Sequence, residues 1–100
     1  MQHVFIIGSR GLPAKYGGFE TFVEELVKNK QSSDIVYHVA CLSDDKHHTH
    51  FKYEGADCFT IKAPKIGPAR VIAYDMMAIT YGLQMVKRYG IEHPVFLYFG

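Results

Sequence analysis

The stretch HVFIIGSRGLPAKYGGFETFVEELVK, residues 3–28, decides the fold that we predict for this chain. It opens with HVFIIG, a short apolar and β-branched run, which predicts a strand over His3–Gly8 that is buried on both faces of a parallel sheet. Apolar residues at helical spacing follow between Phe19 and Val27 and predict an amphipathic helix. Glutamates near the start of this helix and lysines near its end suit the helix dipole. A strand, a loop and a helix in this order form the opening unit of an α/β sheet.

The rest of the chain continues this alternation of strands and helices. Four more segments predict strands, namely Asp34–Leu42, Phe51–Glu54, Asp57–Ala63 and Val95–Phe99. The short strand that ends at Glu54 turns at Gly55 into the strand that begins at Asp57. A second helix is predicted before Gly90, which is a suitable C-terminal stop. Its apolar stripe comprises Ile72, Met76, Ile79, Leu83 and Val86. A second stripe, which we expect to pack against the part of the protein missing from residues 1–100 or to contact a membrane surface, comprises Tyr74, Met77, Tyr81 and Met85.

The predicted order of elements is β-α-β-β-β-α-β. This alternation predicts an α/β fold, a Rossmann-like parallel sheet with helices on both faces. A chain of 100 residues is long enough to bury the core of one domain. Its last residue, Gly100, directly follows a strand of the buried type, where an open α/β sheet would continue into a loop and a helix. We therefore expect residues 1–100 to be truncated, or only part of a larger protein.

The composition disfavours several classes of protein. Apolar residues make up 48% of the chain and charged residues 21%, as in an ordinary globular domain, and a net charge of +1 offers no basic field to attract nucleic acid. The longest apolar stretch, Val71–Val86, is interrupted by Asp75 and does not predict a membrane span. The N-terminus does not resemble a secretion signal. We expect Cys41 and Cys58 to be buried, reduced thiols of a cytoplasmic protein, and a disulfide is the less favoured interpretation.

The loop between the first strand and the first helix carries the strongest functional signal. It spans Ser9–Gly18, roughly ten residues, where such a connection usually needs about two to six. Gly17 and Gly18 let the backbone approach a ligand, and the first amides of the following helix have no internal partner, so this helix start favours an anion, phosphate above all. Arg10 and Lys15 lie in the same loop and would add positive charge. The alternative interpretation is that the two glycines only make a tight turn into the helix.

Two common nucleotide-binding motifs do not fit this loop. A Rossmann dinucleotide fingerprint needs glycines at its first, third and sixth positions, but Gly8 is followed by Ser9 and Arg10. A P-loop needs Gly-Lys-Ser or Gly-Lys-Thr, which the sequence lacks. The acidic residues after the second strand, Asp44 and Asp45, lie too far along the chain to be the usual ribose-binding carboxylate. These observations disfavour a dehydrogenase and a P-loop NTPase.

The same loop carries a resemblance to a known family. Residues 8–24, GSRGLPAKYGGFETFVE, resemble the opening of the bacterial rhamnosyltransferases of glycosyltransferase family four. Four later segments also resemble the family in register: Tyr37–Cys41, Gly55–Phe59, Ile66–Ala69 and the helix around Tyr74 and Asp75. The resemblance extends over nearly the whole chain, and its first motif is specific.

The resemblance implies a GT-B fold, in which two Rossmann-like domains face each other across a cleft. This chain would be the N-terminal, acceptor-side domain, and the donor-binding C-terminal domain would lie outside it. The enzyme would transfer rhamnose from dTDP-L-rhamnose to a lipid-linked saccharide at the inner face of the cell membrane, in cell-surface polysaccharide synthesis. By the same resemblance it retains the anomeric configuration and uses neither a metal nor a cofactor. Because the chain lacks the spaced glutamate pair of the family's donor domain, we expect it to be inactive on its own.

The resemblance also implies roles for individual residues. The donor diphosphate would be bound by Gly17, Gly18, Arg10 and Lys15. Tyr16 and Glu20 would contact the acceptor sugar. Glu20 has an equally good structural interpretation, as an acidic residue that complements the N-terminus of its helix. The catalytic residues themselves are not identified by the sequence of this chain.

A histidine-rich segment suggests a metal site only at first sight. His47, His48 and His50 follow a pair of aspartates, but adjacent side chains on a loop are poorly placed to converge on one ion, and no cysteine accompanies them. We therefore predict a solvated loop and no metal site.

Two functional hypotheses follow from the sequence. The first is the N-terminal domain of a glycosyltransferase, which rests on the first loop and on the resemblance. The second is a non-catalytic Rossmann-like module that binds a nucleotide or a partner protein, which the fold alone would equally allow.

Overall fold

A computed structural model of the chain describes residues 1–8, 18–30, 34–43 and 50–98, with the helical backbone alone at 18–20. Over these residues it has five strands and two helices in the predicted order. They are β1 (Gln2–Ile7), α1 (Gly18–Lys28), β2 (Ile35–Leu42), β3 (His50–Tyr53), β4 (Ala56–Ile61), α2 (Ala69–Tyr89) and β5 (Val95–Tyr98). The described strand ends differ from the predicted ones by one or two residues. The predicted α/β class is confirmed.

The sheet is mostly parallel, with the strand order β3-β4-β2-β1-β5. β1 pairs in parallel with β2 and with β5, and β2 pairs in parallel with β4. Only the short edge strand β3 runs antiparallel, to β4. The turn between these two strands has positive φ at both Glu54 (50°) and Gly55 (82°), as a tight hairpin turn of the I′ type requires.

The two helices lie on opposite faces of the sheet, as predicted. Alternate residues of the strands face opposite sides, so each strand contributes to two cores. One core packs Val23 and Val27 of α1 against apolar residues of three strands, namely Val4, Ile6, Val39, Cys41 and Cys58. The other packs Tyr74, Ala78 and Met85 of α2 against Phe5, Ile7, Ala40, Phe59 and Ile61. Both cysteines are buried and neither forms a disulfide, which agrees with the expected buried thiols.

The prediction for the two stripes of α2 is wrong. The stripe predicted to face the missing part of the protein includes Tyr74 and Met85, which are instead buried against the sheet of this chain. The other stripe is largely exposed, at Ile72, Met76, Ile79 and Leu83. The reason is the closeness of α2 to the aromatic rings below it: a Cβ on Gly82 would lie 3.0 Å from Phe96 and 3.3 Å from Phe5. Small residues, Ala78 and Gly82, are therefore needed where α2 comes closest to the sheet, and this fixes which face of the helix is buried.

The end of α2 agrees with the sequence. Gly90 takes a left-handed conformation, with φ 64°, and its backbone N–H donates to the carbonyl oxygen of Val86. This geometry closes the helix and is easiest for glycine, because a side chain there would be strained. The chain then turns through residues 91–94 into β5.

Candidate functional site

The topology of the sheet places one crevice at its carboxyl edge. β1, β2, β4 and β5 are parallel, so their carboxyl ends share this edge. From β1 the chain moves outward to β2 and β4, and it then returns through α2 to β5 on the other side of β1. The strand order therefore reverses between β1 and β5. In open α/β sheets, ligands bind outside the carboxyl ends at such a switch point.

The first loop begins at this switch point. Ile7 ends β1, and Gly8, with φ 101°, turns the backbone in a conformation that a side chain would strain. Gly18 is the first residue of α1, so the loop leads directly into a helix start, as predicted. Of the predicted site residues, Arg10, Lys15, Tyr16 and Gly17 lie outside the described residues. Glu20 is in the first turn of α1, and its side chain lies outside the described part; these roles stay predictions.

A tyrosine–aspartate pair, which the sequence analysis missed, joins the end of β5 to α2 beside the switch point. Tyr98 ends β5 opposite Ile7, and its hydroxyl donates to Asp75 Oδ2 at 2.7 Å. Asp75 is only 8% exposed. The hydrogen bond to Asp75 is the main cause that raises the pKa of Tyr98 above its ordinary value, so the phenol stays a donor at neutral pH. The one sequence signal that could have revealed this pair is Asp75 itself, a single acidic residue within the apolar stretch Val71–Val86.

The other two rim segments are only partly described. Ser43 N donates to the carbonyl oxygen of Ile61 at 2.9 Å, which ties the end of β2 to the end of β4. Residues 62–68 then lead to α2, and the Arg70 N–H donates to the carbonyl oxygen of Gly67 at 3.0 Å. The segment that holds His47 and His48 lies outside the described residues, so the prediction of no metal site there stays a prediction.

A second polar cluster, which the sequence analysis also missed, lies under the C-terminal half of α2. His38 Nδ1 is 3.0 Å from Asp57 Oδ2, and His38 Nε2 is 2.9 Å from His3 Nδ1. Because a carboxylate only accepts, the His38 Nδ1–H donates to Asp57, and Nε2 of the neutral His38 ring then accepts from His3. His50 Nδ1 is 3.9 Å from the other oxygen of Asp57, and His50 Nε2 hydrogen-bonds the Tyr81 hydroxyl at 2.8 Å.

Burial and hydrogen bonding set the protonation of this cluster. Burial, followed by the proximity of His38 and of the N-terminal amine, holds the pKa of His3 below 6.5. The hydrogen bond from His38 outweighs burial and holds the pKa of Asp57 below 3.8. At neutral pH the cluster therefore contains a neutral His3 and an ionised Asp57, which agrees with the hydrogen-bond directions given above.

Neither a metal centre nor a membrane span is found in residues 1–8, 18–30, 34–43 and 50–98. No group of three or more His, Cys, Asp or Glu side chains in these ranges is arranged to hold a metal ion. No helix in them combines the length and the apolarity needed to cross a membrane.

The parallel sheet, the helices on both faces and the loop at the switch point define a Rossmann-like α/β domain. The chain belongs to the family described as Domain of unknown function (DUF1972), which it matches over residues 1–100. Domains of this family are found at the N-terminus of family-four glycosyltransferases. No curated protein and no solved structure matches the chain.

Proposed function

We propose that this chain is the N-terminal, acceptor-side domain of a retaining GT-B glycosyltransferase. The enzyme transfers rhamnose from dTDP-L-rhamnose to a lipid-linked saccharide at the inner face of the cell membrane, in the synthesis of a cell-surface polysaccharide. The observation that carries the proposal is the course of the backbone at the switch point, where β1 ends at Ile7, Gly8 turns the chain and α1 begins at Gly18. Membership of the DUF1972 family supports the glycosyltransferase class. The sugar and the acceptor rest on the resemblance of residues 8–24.

The start of α1 supplies what the departing diphosphate needs. As the glycosidic bond breaks, negative charge grows on the diphosphate oxygens. The amides of Gly17 and Gly18, at the positive end of the helix dipole, would stabilise this charge more in the transition state than in the ground state. Arg10 or Lys15 would add a cation. Tyr16 and Glu20, from the same segment, would contact the acceptor sugar.

Exposed apolar surface on β5 and on α2 supports the proposal that this chain is part of a larger protein. β5 is an edge strand of a parallel sheet, and such sheets are normally covered on both faces. Val95 and Leu97 of this strand are 40% and 37% exposed. The outward stripe of α2, from Ile72 to Leu83, is exposed as well. Further α/β structure of the same polypeptide, continuing into the donor-binding domain, would bury both.

Gly18→Val in the complete enzyme tests the diphosphate role. A branched side chain at the helix start would keep the diphosphate from the amides, and losing one preorganised donor typically lowers turnover about 10²- to 10³-fold. The same change at an exposed position costs only about 1 kcal/mol of folding free energy. We expect turnover to fall strongly while the midpoint of thermal unfolding changes little.

Gly11→Val, in the same loop but away from the helix start, is the matched control, and we expect it to keep most of the turnover. Near-normal turnover of the Gly18 variant would contradict the diphosphate role. A collapse of folding would instead support the interpretation of Gly17 and Gly18 as a structural turn.

A further inference from the structure

A buried carboxylate oxygen beside the switch point lacks a partner in the described part of the chain. Asp75 is 8% exposed, and its Oδ2 accepts the hydrogen bond from Tyr98. Its Oδ1 is buried and has no hydrogen-bond partner among those residues. Buried polar atoms are nearly always paired, because an unmade hydrogen bond leaves the cost of desolvation uncompensated. An unpaired carboxylate oxygen at the carboxyl edge of the sheet is a group whose hydrogen bond a bound molecule can complete.

The location agrees with a ligand site. Asp75 lies in the second turn of α2, near the N-terminal end of the helix, and this end is at the carboxyl edge of the sheet. Tyr98 is the residue of β5 that pairs with Ile7, directly before Gly8 and the first loop. The Tyr98–Asp75 pair and the start of the loop thus lie at the same carboxyl edge of the sheet, where the strand order reverses between β1 and β5.

The chemistry of the pair favours hydroxyl groups over phosphate. An ionised carboxylate only accepts hydrogen bonds and repels an anion, so Asp75 is unsuited to a diphosphate. The Tyr98 hydroxyl donates its hydrogen to Asp75 Oδ2 at 2.7 Å. The phenol oxygen of Tyr98 therefore remains available as a second acceptor beside the carboxylate. Two neighbouring acceptors fit the adjacent ring hydroxyls of a sugar.

We propose that Asp75, held in place by Tyr98, binds the hydroxyls of a sugar at the switch point. The proposal rests on the proposed glycosyltransferase function and adds a residue that selects the sugar. In this arrangement the start of α1 binds the diphosphate of the donor, and Asp75 binds the hydroxyl groups of a sugar. The sugar belongs either to the nucleotide donor or to the acceptor, and separate kinetics for the two substrates distinguish these cases.

The test is steady-state kinetics of Asp75→Asn and Tyr98→Phe in the complete enzyme, with dTDP-rhamnose and an extracted lipid-linked saccharide as substrates. Because hydrogen bonds to a charged group are among the strong ones, we expect Asp75→Asn to raise the KM of one substrate about 10- to 100-fold. Tyr98→Phe should raise the same KM by a smaller factor. Glu92→Gln, which removes an exposed carboxylate elsewhere, is the matched control and should leave both KM values unchanged.

Unchanged KM values in a folded Asp75→Asn variant would overturn the proposal, since Asp75 would then serve only to hold Tyr98. Should this variant not fold, Tyr98→Phe decides, because Tyr98 is 59% exposed and its replacement is tolerated. A wild-type enzyme without sugar transfer would contradict the proposed function. Saturation-transfer NMR with free rhamnose and with the saccharide released from the extracted lipid then tests Asp75 separately: a signal of either sugar that is lost in Asp75→Asn supports the proposal, and no signal of either sugar in the wild type overturns it.

Discussion

His38 is the central residue of a chain of hydrogen bonds that joins three strands of the sheet. It donates to Asp57 on β4 and accepts from His3 on β1. Phe5 stacks on its ring, with centroids 4.4 Å apart. The contact between His3 Nδ1 and His38 Nε2 needs one bare nitrogen, because two N–H groups would otherwise point at each other.

This geometry predicts a loss of stability in mild acid. The pKa of His3 is lowered in the folded state, mainly by burial, so its contribution is complete above pH 6.5 and is lost as the pH falls through the folded-state value. Asp57, whose pKa lies below 3.8, contributes throughout this range and fails only in stronger acid. The Met1 amine, Lys52, His50 and Tyr81 are the other titratable groups around the cluster.

Thermal unfolding between pH 7.5 and 5 measures the effect. We expect the wild-type midpoint to fall with pH, and His3→Gln, which keeps a donor but removes the titrating ring, to show a shallower decline. His93→Gln, at an exposed histidine outside the cluster, should keep the wild-type slope. Identical slopes for His3→Gln and the wild type would contradict the assigned role of His3.

At the scale of elements, α2 decides how the sheet is covered. Its sheet side carries Ala78 and Gly82 between larger residues, while Leu83 points outward at 54% exposure and Met85 is buried at 5%. We expect Met85→Gln to lower the free energy of unfolding by about 2–3 kcal/mol, because it buries an amide in an apolar core. Leu83→Gln should change it by no more than about 0.5 kcal/mol.

Chemical denaturation of these two variants side by side checks which face of α2 meets the sheet. They differ by two positions on the same helix and introduce the same side chain, so helix propensity and composition are matched. Equal losses would mean that the outward stripe is also packed, and a larger loss for Leu83→Gln would reverse the assignment of the two faces.

The sequence predicts the elements of this fold better than their contacts. Strands and helices follow from periodicity within each segment, so the order β-α-β-β-β-α-β and the helices on both faces could be predicted. The orientation of α2 could not, because both of its stripes are apolar and the choice depends on Phe5 and Phe96 beneath Gly82. The Asp75–Tyr98 and His38–Asp57 pairs join residues 23 and 19 positions apart, and no local pattern reveals such partners.

At the scale of the whole molecule, the switch point lies on this chain but a GT-B site needs a second domain. The proposed diphosphate cradle at Gly18 and the sugar contact at Asp75 supply only one side of a cleft. We therefore expect residues 1–100 alone to transfer no sugar. An assay with dTDP-rhamnose and membrane acceptor should give the blank value, with the complete enzyme as the positive control. Robust turnover by the isolated chain would contradict the two-domain proposal.

The pairing of β1 with β5 has a consequence for synthesis of the protein on the ribosome. β1 pairs with β5 from Val4↔Val95 to Ile7↔Tyr98, and Gln2 Nε2 donates to the carbonyl oxygen of His93, so this pairing joins segments about 91 residues apart in the sequence. Closing so long a loop is entropically costly, whereas the β3–β4 hairpin closes through a tight turn. The emerging polypeptide can form β1, β2 and the hairpin early, but β5 can pair with β1 only after it has left the exit tunnel. A nascent chain therefore lacks the switch point, and the site proposed at its carboxyl edge, until β5 has been made.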